Sequence, residues 1–165
     1  MTKTDNQDEL RAQLRALLDG GNAHAELDEV VDDFPVEKRG VVWEAVPYSA
    51  WQLLEHLRIA QNDILQFSSN RDGNYKALKW PDEYWPKEAN PPEEQAWERS
   101  LEQIRADRNR FEGLISDTNA DLFAPFPWAG EGQNLLREAL LIADHNAYHT
   151  GELVVLRRLL GIWPA

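Results

Sequence analysis

The chain has 165 residues, 42% of them hydrophobic and 28% charged, with a formal net charge of −12. One domain of that length buries roughly two-thirds of the surface that its unfolded chain exposes, and the composition excludes global disorder. Half of the charge lies in residues 1–46, eleven acids against five bases, and no basic patch offsets it, so nucleic acid and anionic membranes are not expected partners.

There are no cysteines, which excludes disulfides, thiolate metal sites and cysteine nucleophiles; a cytoplasmic location fits. No apolar run is long enough to span a membrane, and residues 1–8 lack the apolar stretch of a signal peptide.

Leu10, Leu14, Leu17 and Leu18 predict a first helix, interrupted by Gly20-Gly21. Apolar periodicity resumes from Ala23 through Leu27, Val30, Val31 and Phe34 and stops at Pro35. The following Val41, Val42 and Trp43 are too short and isolated a run to make a sheet. The next helix has a clear start: Ser49 and Gln52 form a capping box, with Tyr48 and Leu53 placed as a hydrophobic staple. Its stripe runs Leu53, Leu57, Ala60, Ile64 and Phe67 and ends near Ser68. Residues 70–91 form a long connection rich in proline and aromatics, a length that is usually functional or serves as a cover.

A third long helix is expected after Asn90, with proline tolerated in its first turn. It carries Trp97, Leu101, Ile104, Phe111 and Ile115, with Arg108 on the same stripe. The last begins at the N-cap Asn134, runs to about Leu160 and stops at Gly161 and Pro164. Four main amphipathic helices without a convincing strand predict an all-α four-helix bundle, one domain over residues 1–165.

Chemistry concentrates in the last helix. His145 and His149 stand at i and i+4, one turn apart on one face, within reach of a single ion. Their face continues through Ile142, Leu153, Leu156 and Leu160, so it points into the bundle. His56 repeats the pattern beside Leu53 and Ala60. A single histidine on such a stripe is ordinarily a satisfied core residue. Three are costly unless they share something, because each buried imidazole must satisfy two ring nitrogens. A metal takes one nitrogen from each, which makes His56, His145 and His149 the candidate ligands. Zinc, nickel, iron and copper all suit imidazole. Three neutral ligands leave a coordination position open, as Lewis-acid use requires.

The run Trp51-Gln52-Leu53-Leu54-Glu55-His56-Leu57-Arg58-Ile59-Ala60-Gln61, the segment Trp80-Pro81-Asp82-Glu83-Tyr84-Trp85-Pro86, and Ala143-Asp144-His145-Asn146-Ala147-Tyr148-His149-Thr150-Gly151-Glu152-Leu153 through Leu160-Gly161-Ile162-Trp163-Pro164 together resemble the DinB-like (DinB/YfiT-like) metalloenzyme family. The resemblance extends from about residue 10 to the end. It implies a four-helix bundle, often a homodimer, with a nickel- or zinc-type ion on a three-histidine site that His56, His145 and His149 match one for one. Family members of known activity include S-transferases and isomerases that use a low-molecular-weight thiol such as bacillithiol, mycothiol or glutathione. One departure is visible: where the family commonly has Gln, this chain has Glu152.

Glu152 lies one turn beyond His149, open to the roles of fourth ligand, general base, acceptor to a ligand histidine or boundary residue. Asp144 and Asn146 flank His145 and are expected to face solvent or an interface. His24 is expected to be structural and Arg108 to snorkel from the bundle edge, although it could also anchor an anionic substrate. Trp51, Trp128 and Tyr148 are candidates to line a pocket. Two functions follow: a metal-dependent enzyme acting on a small-molecule substrate by thiol transfer, isomerisation or hydrolysis, or a non-catalytic dimer whose ion is structural or vestigial. The apolar closing run Leu159-Leu160-Gly161-Ile162-Trp163 is the expected contribution to a homodimer contact.

Overall fold

The computed structural model describes residues 3–163. Among them it contains five α-helices, one short 3-10 turn (Val36–Lys38) and no strand. The helices are α1 (Lys3–Asp19), α2 (Leu27–Val31), α3 (Ala50–Ser68), α4 (Ala96–Ser116) and α5 (Leu135–Leu159). The four long ones form the predicted bundle. α3 packs against α4 and α5, α1 packs against the same two, and the short α2 lies on α5. None is long and apolar enough to cross a membrane.

The predicted caps are in place. The Ser49 hydroxyl accepts from the Gln52 amide N–H (3.1 Å) while the Gln52 side chain accepts from the Ser49 amide (3.1 Å), closing the capping box of α3. Tyr48 packs against the cluster that contains Leu53 and stacks on Trp85. Asn134 accepts from the Arg137 amide at the head of α5, and Gly161, at φ +70°, ends that helix in a left-handed conformation that glycine adopts freely. Pro164 lies outside the described residues.

Two boundaries differ from expectation. The 23–34 segment is helical only over Leu27–Val31, although Val30, Val31 and Phe34 are buried. Arg157 of α5 donates to the carbonyls of Val30 (2.7 Å) and Asp32 (2.8 Å), which occupies acceptors that a longer helix would have used internally. α4 starts at Ala96 rather than just after Asn90, and a turn closed by the Ala96 N–H on the Glu93 carbonyl (3.1 Å) precedes it.

The core divides in two. One cluster joins Val30, Phe34, Trp51, Leu57, Trp97 and Leu156, and the other joins Leu14, Leu65, Phe111, Ile115, Leu135 and Ile142. Along α5, Ile142 belongs to the second cluster and Leu153 to the first; His145 and His149 fall between them. The closing Ile162 and Trp163 pack back onto their own core. Of that run, Leu159 is the large apolar residue left exposed.

Candidate metal centre

α3 contributes His56 and α5 contributes His145 and His149; each faces inward because it replaces an apolar residue in its stripe. His56 and His149 are buried and His145 is half-buried. The nearest ring nitrogens, Nε2 of His145 and Nε2 of His56, are 3.0 Å apart, and one donor atom from each of the three lies within 4.8 Å of the others. Ligands 2.0–2.1 Å from one tetrahedral ion lie about 3.3–3.4 Å apart, so gathering all three requires side-chain shifts of about an ångström or more. Among the described residues, these three are the group of potential ligand residues that converges.

The outer nitrogens determine where the protons sit. His56 Nδ1 lies 2.9 Å from the Tyr84 carbonyl oxygen, which can only accept, so His56 carries its proton on Nδ1 and presents a lone pair at Nε2. His149 Nδ1 lies 2.6 Å from Glu152 Oε2, which sets the same tautomer. For His145 Nε2 to bond His56 Nε2 it must donate, which leaves the buried His145 Nδ1 bare, and that atom has no partner. A cation in place of the single shared proton would give all three inner lone pairs a partner, so the donor set fits a metal.

Electrostatics favour neutral rings. Burial, reinforced by the charges that His149 and His56 would carry, pushes His145 down to about 4. Burial also lowers His56, opposed by the Tyr84 carbonyl and by Glu152. His149 is pushed down to about 4, by burial and then by His56. Burial raises the Glu152 carboxyl above its ordinary range.

An aromatic pile covers one side. Trp85 stacks on His56 (ring centroids 3.8 Å apart, planes at 7°) and Tyr48 stacks on Trp85 (4.1 Å, 15°). Trp80, 70% exposed, presents its ring 6.4 Å from His56, and Tyr148, 66% exposed, lies 4.9 Å from His149. Tyr148 thus lies beside the histidines as expected, but Trp51 and Trp128 do not line the site. Trp51 is buried in an apolar cluster, and Trp128 stacks on Phe126 and donates to the Phe67 carbonyl.

Glu152 acts as acceptor to His149. Asp144 is exposed as expected, but Asn146 is not free: its amide donates to Gln61 Oε1 (2.8 Å), and Gln61 in turn donates to the Ile104 carbonyl (2.7 Å), joining α5, α3 and α4. His24 is exposed, and Arg108 pairs with Asp28 at 3.4 Å. Sequence reasoning missed Tyr84 and Trp85. The available signal was the density of aromatics in a connection too long to be idle.

No curated protein and no solved structure gives a significant match to the chain. A sequence model described as the DinB superfamily matches residues 8–153, which include all three histidines and both flanking tyrosines, Tyr84 and Tyr148. With an all-helical fold to match, the chain belongs to the DinB superfamily.

Proposed function

We propose that this protein is a metal-dependent enzyme that holds one divalent transition ion on Nε2 of His56, His145 and His149 and acts on a small molecule. The reaction classes are thiol-dependent S-transfer, isomerisation or hydrolysis. The observation that carries the reading is the tautomer pattern: Tyr84 and Glu152 hold protons on the outer nitrogens of two rings, turning their lone pairs towards the third. Zinc or nickel suits this donor set, and iron and copper are compatible with it. A bound ion supplies Lewis acidity at a position left open to substrate.

The chain's own groups do the rest. Trp85 shields one face of His56 from water. Glu152 holds the His149 proton at Nδ1, which raises the basicity of the opposite nitrogen. Trp80 and Tyr148 offer apolar rings to an incoming molecule, and a low-molecular-weight thiol is the proposed co-substrate.

Metal analysis of the purified protein is expected to find about one equivalent. His56→Ala, His145→Ala and His149→Ala should each lose it while keeping most of the helicity, because the two apolar clusters do not depend on the ion. Retention of none of zinc, nickel, iron or copper by the wild-type chain would overturn the reading. Turnover is then sought with bacillithiol, mycothiol and glutathione against electrophiles.

The alternative is a non-catalytic homodimer whose ion holds the bundle together. It draws support from the apolar residues exposed along α5, namely Leu140, Leu141, Tyr148, Val155 and Leu159. Light scattering at micromolar protein should give twice the 19.0 kDa chain mass if that face is self-complementary, and the single mass if it is not.

A further inference from the structure

The connection between α3 and α4 is bonded to α3 at successive points. Ser49 Oγ donates to the Ala89 carbonyl (2.6 Å), Gln52 Nε2 to the Pro86 carbonyl (3.1 Å) and His56 Nδ1 to the Tyr84 carbonyl (2.9 Å). Numbers rise along α3 as they fall along the connection, so the two run antiparallel. The last bonding point is Asp63. Its Oδ2 accepts from the Tyr84 hydroxyl (2.6 Å) and its Oδ1 from the Tyr75 hydroxyl (3.0 Å).

Asp63 is seven residues beyond His56, which places it two turns away on the same face of α3, about 10.5 Å along the axis. Tyr84 spans that interval: its carbonyl meets His56 and its ring reaches Asp63. Among the described residues Asp63 makes no ion pair, so its two oxygens are committed to the two phenols. Both phenols are held neutral. Burial, with Asp63 adding to it, raises Tyr75 to about 12 and pushes Tyr84 higher still. A phenol that stays protonated remains a donor, so the grip persists across physiological pH.

We propose that Asp63 is a positioning residue for the histidine site. By holding the Tyr84 hydroxyl, with Tyr75 as a second anchor, it keeps the Tyr84 carbonyl on His56 Nδ1 and thereby keeps the His56 Nε2 lone pair turned towards His145 and His149. A neutral imidazole has its proton on either nitrogen, and a single fixed acceptor decides which. Its relevance to metal rests on the proposed function; the effect on the His56 tautomer does not.

The test begins on metal-free protein with ¹⁵N-labelled histidine, reading the His56 tautomer from long-range ¹H–¹⁵N correlations. The wild type should show the Nδ1–H form alone. Asp63→Ala and Tyr84→Phe should show a mixture, and Asp63→Asn, which keeps one acceptor oxygen, should restore part of it. Zinc affinity, read by competition with a chromophoric chelator, should fall about 10-fold in Asp63→Ala and in Tyr84→Phe. The double variant should fall no further than Tyr84→Phe, because Asp63 acts through that hydroxyl.

An unchanged tautomer in Asp63→Ala would overturn the proposal, and so would fully additive losses in the double variant. If Asp63→Ala fails to fold, Asp63→Asn and Tyr84→Phe carry the same comparison. A wild type that binds none of zinc, nickel, iron or copper sinks the functional reading alone and leaves the tautomer comparison decisive.

Discussion

The bundle buries polar groups in two different ways. At its ends, two buried arginines are met by backbone carbonyls. Arg11 donates to the carbonyls of Ile115 and Ala120, and Arg157 to those of Val30, Asp32 and Ile162. Between the two apolar clusters, His56 and His149 are matched on their outer nitrogens, His145 is not, and the inner nitrogens face one another. The arginines spend their hydrogen bonds on backbone carbonyls, whereas the histidines turn their inner nitrogens on one another and leave lone pairs that no donor of the chain fills.

The comparison breaks most directly through the apolar clusters. Phe111 is fully buried in the cluster that holds Ile115 and Ile142. Phe111→Ala should destabilise the protein by about 3–5 kcal/mol in urea unfolding, through lost transfer free energy and a residual cavity. Zinc affinity of the remaining folded protein should hardly change. A parallel collapse of metal binding would mean that the histidine layer and the apolar cluster are one cooperative structure, and the distinction would fail.

Glu152→Gln sharpens the same contrast from the site's side. The amide is weakly basic and removes the charge that polarises His149, so zinc affinity should drop about 10-fold, while helicity by circular dichroism stays unchanged. Equal affinity would reduce the carboxylate to a boundary residue.

The pH response tests the rings themselves. His145 sits near 4 in the fold and would return to 6.5 when unfolded. A lowered value means that the folded state prefers the neutral ring. Its contribution is therefore complete above about pH 6.5 and declines as pH falls from there towards 4, where the unfolded chain has taken up a proton that the fold refuses. His145→Gln should flatten the urea midpoint across pH 6.5–5 relative to wild type. Parallel slopes would mean that this ring is not held neutral. Metal should also be released over this interval, since protons compete for the same nitrogens.

Much of this protein was determined by local sequence, and those features are the ones whose causes are local. The i, i+4 placement of His145 and His149 and their apolar neighbours Ile142, Leu153 and Leu156 follow from the helical repeat alone. So do the Ser49–Gln52 box, the Asn134 cap and the buried stripe of α4. Family membership was likewise legible in motifs confined to single elements.

Only the tertiary structure decided the rest, because those features are partnerships across elements. Arg157, about 125 residues away in the chain, takes the carbonyls that would have lengthened α2. Gln61 draws Asn146 away from solvent. Helix periodicity says nothing about a connection without a period, so the acceptor that sets His56, the ring that covers it and the carboxylate that anchors both lay beyond sequence reading. A histidine's position is a property of its helix; the nitrogen that carries its proton is a property of whatever the fold brings alongside it.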